Sequence, residues 1–254
     1  MDKIDKMFDD LTGDIEGGGT PQKKNYVMIL LDASGSMTSM QNEAIDAFNQ
    51  QVNVIRESSK DMKTFVTFRT FSTTPHRPVF WNKSVDILRK LDRDEYMPEG
   101  MTAMLDCVGD TLSEMKDITE KEAKNDTSFL VIIISDGAEN NSKKYTYGDI
   151  QKTISSLTET KKWTFTYLGA NQDLSKISKD LNIPLSNTAN FVADAIGVQY
   201  ANVQTMSAYK SYFASRGVGE TMSSNFYDPK EAVIGKIDTK TWKKGKKREK
   251  KIAP

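Results

Sequence analysis

Two aspartates and two serines carry the clearest chemical signal in the sequence. Asp32 closes a run of apolar residues and is followed at once by Ser34 and Ser36. Asp136 closes a second apolar run. All four residues offer hard oxygen donors, with no thiolate or imidazole nearby in the sequence. Such a donor set favours Mg²⁺, Mn²⁺ or Ca²⁺ over zinc or copper.

Predicted strands and helices alternate along the chain and would position these residues. The predicted strands cover residues 25–32, 63–71, 79–81, 129–136, 163–168 and 191–192, and the predicted helices cover residues 40–58, 103–115, 147–157, 173–181 and 194–215. Continuous apolar strands between amphipathic helices predict an α/β fold, with a Rossmann-like, open, mostly parallel sheet and helices on both faces. Ligands bind beyond the carboxyl ends of such strands. Asp32 and Asp136 would repel each other there unless a cation lay between them.

Two local patterns carry more specific predictions. Thr38 followed by Gln41 predicts a capping box at the start of the first helix. The alternation of apolar and polar residues over 63–71 predicts a strand that is covered on one side only.

Three segments match, in order, the parts of one known binding motif. Residues 32–36 read D-x-S-x-S. Residues 98–106, PEGMTAMLD, resemble a G-G-T-x-L-x-D loop in which Thr102 is the threonine and Met101 stands where a glycine is common. Residues 134–137, ISDG, resemble a T-D-G segment. Each segment alone is a weak signal, whereas the ordered set is specific.

Together the segments resemble the von Willebrand factor type A (vWA) domain, over about residues 24–215. The resemblance implies a complete metal-ion-dependent adhesion site. In that site Ser34, Ser36 and Thr102 are hydroxyl ligands, and Asp32 and Asp136 bind the metal directly or through water. It implies Mg²⁺ as the metal, with Mn²⁺ or Ca²⁺ as alternatives, and a partner protein whose Asp or Glu completes the coordination. Stand-alone, cysteine-poor members of this kind occur in bacteria and phages, where they act as adaptors or scaffolds.

Other residues allow a functional and an ordinary interpretation. Asp106 and Asp110 lie four positions apart on a predicted helix. They could form a second metal site or be ordinary helix residues, and the second interpretation is favoured. His76 is predicted to be a loop residue and Cys107 a core thiol. Residues 139–141 follow the Asp136 loop and either shape the rim of the site or are merely solvated.

The two ends of the chain differ from its middle in composition and charge. An acidic arm (1–23), a vWA domain (24–216) and a C-terminal extension (217–254) are predicted. Residues 236–254 hold nine basic and two acidic side chains, a net charge of +7, against −7 for the rest of the chain. A helical apolar stripe lies in the arm, at Ile4, Met7, Phe8 and Leu11. The arm either docks a partner or covers the domain itself. The basic end is interpreted as a solvated terminus, as a site for nucleic acid or an anionic membrane, or as a partner of the acidic arm. Nucleic acid has little support because Trp242 is the one aromatic residue of the basic end.

Composition limits the class of protein. The chain has 254 residues, of which 37% are hydrophobic and 28% charged, as is typical of soluble globular proteins. Its longest apolar runs, 27–31 and 129–134, are far shorter than the roughly 18 residues of a membrane helix. One cysteine and one histidine exclude a disulfide framework and the common zinc motifs. The acidic start does not resemble a secretory signal, and a cytoplasmic location is expected.

Three functions are compatible with these observations. A non-enzymatic, metal-dependent binding module is favoured. One alternative is a structural protein that assembles when Asp9 or Asp10 of one copy binds the metal of the next, forming a possible homo-oligomer. A Mg²⁺-dependent phosphohydrolase is less favoured, because the sequence lacks a D-x-D motif after the first strand, a phosphate-binding P-loop and a G-x-S-x-G elbow.

Overall fold

The computed structural model describes residues 22–170 and 172–227. The strands are β1 (Lys24–Asp32), β2 (Lys63–Phe71), β3 (Phe80–Ser84), β4 (Thr127–Ser135), β5 (Trp163–Ala170) and β6 (Thr188–Phe191). The α-helices are α1 (Gln41–Ser58), α2 (Met104–Glu114), α3 (Lys116–Lys121), α4 (Tyr147–Glu159), α5 (Leu174–Leu181) and α6 (Ala195–Gly217). Short 3₁₀ helices cover Gly35–Met40, Val85–Ile87, Arg93–Glu95 and Leu185–Asn187.

The six strands form one sheet in the order β3-β2-β1-β4-β5-β6. All neighbouring pairs are parallel except β2 and β3, which are antiparallel. The predicted α/β fold with a mostly parallel sheet is therefore confirmed. Because the chain runs outward from β1 in both directions, the strand order reverses between β1 and β4, the place where open α/β sheets bind ligands. Asp32 ends β1, and Asp136 directly follows β4.

The sheet is covered by helices on both faces because its central strands are apolar on both sides. Every residue of β4 is buried, and so are eight of the nine residues of β1. Val27, Ile29 and Leu31 join the core cluster that includes residues of α1 and α6. Met28 and Leu30 join the opposite cluster, with residues of α2 and α4. This burial fixes the register of β1, since a slip by one residue would exchange its two faces.

Strand β2 differs from its prediction. The alternation in its sequence predicted a strand covered on one side, but six of its residues in succession, Val66–Phe71, are buried. Two of the buried polar side chains have partners on other elements. Arg69 forms an ion pair with Glu114 at 2.6 Å, and Thr67 accepts a hydrogen bond from the Asn82 backbone at 3.1 Å. The polar residues of β2 therefore lie in the interior with partners on other elements and do not mark a solvent face.

The predicted capping box at the start of α1 is wrong. The 3₁₀ helix Gly35–Met40 runs directly into α1, so Thr38 lies inside a helical turn rather than at its beginning. Its hydroxyl donates to the Gly35 carbonyl at 2.7 Å. The Gln41 side chain donates instead to the Tyr96 carbonyl at 2.7 Å.

Four aromatic rings form a row across the sheet at the amino ends of the strands. Phe65, Tyr26, Phe129 and Trp163 occupy paired positions on β2, β1, β4 and β5. Successive ring centroids are 5.2, 5.2 and 4.3 Å apart, and the rings are stacked. Such cross-strand pairs stabilise the pairing of neighbouring strands. The row thus reinforces the end of the sheet opposite the candidate site.

The chain continues to pack on the domain after α6. Phe226 and Tyr227 are buried and belong to the core cluster on the α1 and α6 side. The apolar stripe of the arm and the lysine-rich end lie outside the described residues. Within residues 22–170 and 172–227, no helix combines the length and the apolar character needed to cross a bilayer.

Candidate metal centre

Asp32 is the most buried member of the site, with no accessible surface. One carboxylate oxygen accepts a hydrogen bond from the Ser34 backbone N–H at 2.8 Å, and the other accepts one from the Ser135 hydroxyl at 2.6 Å. The Asp32 backbone carbonyl accepts a hydrogen bond from the buried Tyr96 hydroxyl at 2.7 Å. Asp32 is therefore held in place through both carboxylate oxygens and its own backbone.

The two serines of the D-x-S-x-S motif connect the two aspartates. The Ser34 and Ser36 hydroxyls lie 3.0 Å apart, and the Ser36 hydroxyl donates to the Asp136 carboxylate at 2.8 Å. A continuous series of hydrogen bonds thus runs from Asp32 to Asp136, across the point where the strand order reverses. Ser36 is exposed and Asp136 is half-buried, so one side of this cluster is open to solvent.

Thr102 lies in the loop before α2 and is fixed by the loop that follows β4. Its backbone N–H donates to the Asn140 side-chain carbonyl at 2.9 Å, and its carbonyl accepts from the backbone N–H groups of Asn140 and Asn141 at 3.1 Å each. Its hydroxyl oxygen would be 3.4 Å from a Cβ atom placed on Gly137. The Thr102 hydroxyl therefore lies beside the residue after Asp136, and the fold brings the three predicted segments together.

The electrostatics of the site suit a cation. Burial raises the pKa of Asp32 to about 6, against hydrogen bonds from Ser135 and Ser34 that lower it, and the nearby charge of Asp136 adds to the rise. Burial also raises the pKa of Asp136. None of the ion pairs formed by the described residues includes either carboxylate. A buried and a half-buried acid of this kind are stabilised in their charged form by a neighbouring positive ion.

The donor set fits a hard divalent cation. No group of three or more His, Cys, Asp or Glu side chains within the described parts of the chain could hold a metal ion. The candidate site consists instead of two carboxylates and three hydroxyls, all of them oxygen donors. Mg²⁺ and related ions are bound in proteins by few carboxylates together with neutral oxygens and water.

Residues 139–142 fix the loop of Thr102, a role that the sequence left open. The Glu139 carboxylate accepts hydrogen bonds from the Leu105 backbone N–H at 2.9 Å and from the Ser142 backbone N–H at 2.7 Å. The Ser142 hydroxyl in turn accepts from the Asp106 backbone N–H at 3.0 Å. These residues cap the amino end of α2, so they position the loop rather than only line its rim.

Asp106 positions a loop, and its geometry gives no support to a second metal site. Its carboxylate accepts hydrogen bonds from the backbone N–H groups of Lys143, Lys144 and Tyr145 at 2.8 to 2.9 Å. Asp110 pairs with the Lys144 ammonium. Because all of its acceptor bonds hold the 143–145 backbone, Asp106 is more than an ordinary helix residue. The sequence offered no signal for this role beyond the acid itself.

His76 and Cys107 lie where the sequence placed them. His76 is in the loop between β2 and β3, where its ring nitrogens bond the Thr70 and Ser72 hydroxyls at 2.7 and 3.0 Å. Cys107 is fully buried, and burial raises the pKa of its thiol to about 12. Neither side chain is therefore presented as a reactive group at the site.

Comparison with known protein families identifies the family of the chain. A family model for the von Willebrand factor type A domain matches residues 27–207, which is more than half of the chain. The chain belongs to the vWA domain family. Domains of this family commonly bind divalent metal ions and protein partners. A search of curated protein sequences returned no significant match to this vWA protein.

Solved structures share the fold at low sequence identity. Proximal thread matrix protein 1 from the mussel byssus is 16% identical, with a TM-score of 0.51, over 73% of this chain and 46% of its own. The pilus adhesin SpaC from Lactobacillus rhamnosus GG is 10% identical, with a TM-score of 0.53, over 77% of this chain and 32% of its own. Manganese-loaded TRAP from Plasmodium vivax is 14% identical, with a TM-score of 0.45, over 68% of this chain and 70% of its own. This vWA chain thus spans less than half the length of the mussel protein and of the adhesin.

Proposed function

We propose that this chain is a non-enzymatic, metal-dependent protein-binding module that acts as an adaptor or scaffold. A divalent cation, with Mg²⁺ as the first candidate, is held by Asp32, Ser34, Ser36, Thr102 and Asp136, and an Asp or Glu of the partner completes its coordination. The observation that carries the proposal is the series of hydrogen bonds from Asp32 to Asp136, with the Thr102 hydroxyl beside it.

Charge balance explains why such a site would bind an acidic side chain. Two carboxylates neutralise a divalent cation without exceeding its charge, and the three hydroxyls add none. The cation therefore retains affinity for a further anionic oxygen, and Mg²⁺ usually keeps water ligands that such an oxygen can replace. The exposed position of Ser36 leaves the cluster accessible from solvent.

The surroundings of the site support binding rather than catalysis. A hydrolytic site needs a group that can activate water or attack the substrate. His76 is bonded to two hydroxyls in a neighbouring loop, and Cys107 is in the core. Turnover of a phosphate ester that is abolished by Asp32→Asn would contradict the non-enzymatic assignment.

We place this module in the cytoplasm of a bacterium or in a phage-infected cell. The single cysteine is buried, and proteins of oxidising compartments more often carry disulfides. Fractionation of the source cell, followed by detection of the protein, tests the location. Recovery with the extracellular fraction would contradict it.

Calorimetric titration with Mg²⁺ and with Mn²⁺ tests the metal site. Ser36→Ala and Thr102→Ala each remove one neutral ligand and leave the charge unchanged. We expect each variant to lose about tenfold or more in affinity for the metal, since loss of even an outer partner of a ligand commonly costs that much. Ser39→Ala is the matched control, because Ser39 is also an exposed hydroxyl of the 3₁₀ helix but is not a member of the cluster. Equal affinity in all four proteins would contradict the site.

Capture from a source lysate tests the partner. The wild-type protein is used in Mg²⁺ and in EDTA, with Thr102→Ala in Mg²⁺ alongside. We expect a partner that is retained only by the wild type in Mg²⁺, and we expect replacement of one of its Asp or Glu residues by Asn or Gln to abolish the interaction. Equal capture under the three conditions would show that recognition does not use the metal.

A further inference from the structure

A groove lies between β6 and the first turns of α6, apart from the five residues of the candidate metal centre. Its volume is about 490 Å³, and its lining includes Phe191, Val192, Ile196, Gly197 and Tyr200. Three of these side chains are apolar and largely exposed, Val192 at 59%, Ile196 at 58% and Tyr200 at 52%. Because β6 is an edge strand, the groove also borders the open side of the sheet. Nothing in residues 22–170 or 172–227 covers these side chains.

The chain after α6 runs toward this groove. Ser223 donates its backbone N–H to the Thr164 hydroxyl at 2.8 Å, near the start of β5. Further on, the Phe226 ring meets the Tyr209 ring edge-on at 5.9 Å. The Tyr227 hydroxyl then lies 3.5 Å from the hydroxyl of Thr205. The last two contacts lie on α6, and Thr205 is nearer than Tyr209 to the amino end of the helix, so residues 226–227 run antiparallel to α6.

The segment also runs beside the edge of the sheet. The Tyr227 backbone N–H donates to the Ser186 carbonyl at 3.0 Å, two residues before β6 begins. The Asn187 side chain accepts from the Phe226 backbone N–H at 2.7 Å. The described chain therefore ends beside the amino end of β6, on the side of the sheet where the groove lies.

The chain after Tyr227 is long enough for an apolar run to reach the groove. Thr205 and Gly197 are eight residues apart on α6, which corresponds to about 12 Å along the helix axis. An extended chain covers that distance in about four residues. Four residues beyond Tyr227 the chain reaches Glu231, and Ala232, Val233 and Ile234 follow. These three form the longest apolar run in residues 228–254.

We propose that residues 232–234 of this chain dock into the groove between β6 and α6. The docked run covers the exposed apolar side chains and shields the open edge of β6, an edge that other chains could otherwise pair with. Docking also brings the basic stretch that begins at Lys236 to the carboxyl ends of the strands, the end that carries the candidate metal centre.

The apolar stripe of the N-terminal arm is the rival occupant. The described chain begins at Gln22, just before β1, at the amino end of a central strand. From there the arm has to cross β4, β5 and β6, about 14 Å at the usual strand spacing, and also run the length of the sheet. The C-terminal segment leaves the described chain at the amino end of β6 itself and has only about 12 Å along α6 to cover, so it needs less chain to reach the groove.

An engineered disulfide in the full-length protein tests the proposal. Tyr200→Cys is combined with Val233→Cys, and disulfide formation under mild oxidation is followed by mass spectrometry and non-reducing electrophoresis. The native Cys107 does not interfere, because it is fully buried in the core. We expect an intramolecular disulfide to form at least tenfold faster than in the control pair of Lys210→Cys with Val233→Cys. Lys210 is exposed on the same helix, about 15 Å further along it.

Three outcomes would overturn the proposal. The first is a disulfide that forms no faster than in the control pair. The second is a disulfide that joins two chains, which would assign the groove to a second copy. The third is faster closure of a Tyr200→Cys and Phe8→Cys pair, which would assign the groove to the N-terminal arm.

Hydrogen exchange gives a second, independent measurement. Val233→Asp with Ile234→Asp places charge in the docked run and leaves residues 22–227 unaltered. We expect backbone amides of residues 198–204 to exchange about tenfold faster in this double variant than in the wild type. The control Thr239→Asp with Thr241→Asp adds the same charge beyond the run and should leave exchange unchanged. Unchanged exchange in the first variant would contradict docking.

Discussion

Single residues at the site are held by backbone geometry as much as by side-chain chemistry. Gly100, two residues before Thr102, has a φ of +73°, a conformation that favours glycine. Its carbonyl accepts a hydrogen bond from the Gly35 backbone N–H at 3.1 Å, which joins the loop of Thr102 to the loop of the two serines. A Cβ atom on Gly100 would be 2.2 Å from the Thr73 hydroxyl oxygen. The resemblance to the family motif thus extends to a glycine that this loop requires.

Gly100→Ala is expected to lower the free energy of unfolding by about 1–3 kcal/mol, because alanine is strained at this φ and contacts Thr73. It should also weaken Mg²⁺ binding. Gly148→Ala is the matched control, because Gly148 lies in α4 and its new methyl group meets only ordinary contacts. That control should raise stability by up to about 1 kcal/mol. Urea unfolding measures both changes, and effects of the same sign would contradict the argument.

At the scale of elements, the start of α2 and the loop after β4 form one hydrogen-bonded unit. The Asp106 carboxylate accepts hydrogen bonds from three backbone N–H groups of the loop. The Glu139 carboxylate of the loop accepts one from the Leu105 backbone N–H at the start of the helix. The two loops that carry Thr102 and Asp136 are joined again through Asn140. A disturbance of this unit should therefore reach the metal site without touching a ligand.

Asp106→Asn tests this coupling. Asparagine offers one acceptor oxygen in place of two, so at least one partly buried N–H loses its partner, at a cost of about 1–2 kcal/mol. We expect this loss in the free energy of unfolding. We also expect Mg²⁺ to bind several-fold more weakly when the affinity is measured by calorimetry. Asp110→Asn, one helical turn away, breaks a largely exposed ion pair and should cost under about 1 kcal/mol. Full metal affinity in Asp106→Asn would show that the unit does not position the site.

At the opposite end of the sheet, Glu122 links β1 to the start of β4. It pairs with Lys24 at 2.8 Å and accepts hydrogen bonds from Asn125 at 2.7 Å and Thr127 at 3.2 Å. Burial raises the pKa of its carboxyl, but these partners together outweigh burial and hold the pKa below its usual 4.5. Since the folded pKa is below the unfolded one, Glu122 stabilises the fold above about pH 4.5, and this stabilisation is lost as the pH falls through the lowered pKa.

Glu122→Gln should therefore cost more stability at about pH 7 than at about pH 3. Urea unfolding at both pH values measures the difference. Glu120→Gln is the control, since Glu120 is exposed and only 3.9 Å from its partner Lys116, and its cost should be small at both values. An equal cost of Glu122→Gln at both pH values would contradict the assigned role.

At the scale of the whole molecule, the long helix α6 is fixed at its carboxyl end by a buried guanidinium. Arg216 donates to the Asn25 side chain at 2.8 Å, to the Asp126 carboxylate at 2.9 Å and to the Glu220 carbonyl at 2.8 Å. Its side chain is 1% exposed. One residue thus connects α6, the amino ends of β1 and β4, and the segment that leads to Tyr227.

Arg216→Met keeps the aliphatic stem and removes these hydrogen bonds. We expect a loss of about 2 kcal/mol in the free energy of unfolding. The cost is limited because the Asp126 carboxylate is partly exposed, so water solvates it after the ion pair is lost. Hydrogen exchange should quicken in the last turns of α6 and in residues 218–227. Lys210→Met, on an exposed position of the same helix, should change neither quantity. Slow exchange in Arg216→Met would show that α6 is held mainly by its apolar face.

The sequence alone determined the sheet and the identity of the five candidate ligands. Uninterrupted apolar runs can be buried only between two helical layers, so they imply parallel strands, and the acids that close two of these runs must lie at the same edge. The D-x-S-x-S spacing is local and needs no knowledge of the fold. For these reasons Asp32, Ser34, Ser36 and Asp136 could be named from the sequence, and the resemblance of residues 98–106 to the family loop added Thr102. The fold brings the three segments together.

The tertiary structure alone decided what holds these residues in place. The contacts that matter are hydrogen bonds between a side chain and a backbone group 37 to 64 residues away in the sequence, made by Tyr96, Asn140 and Asp106. No local pattern encodes such a contact, because it depends on which distant segments the finished fold brings within hydrogen-bonding distance. The same reason explains why β2 was wrongly predicted to be covered on one side only, since its polar residues find partners only after folding. It also explains why the path of residues 223–227 toward the groove was not visible in the sequence.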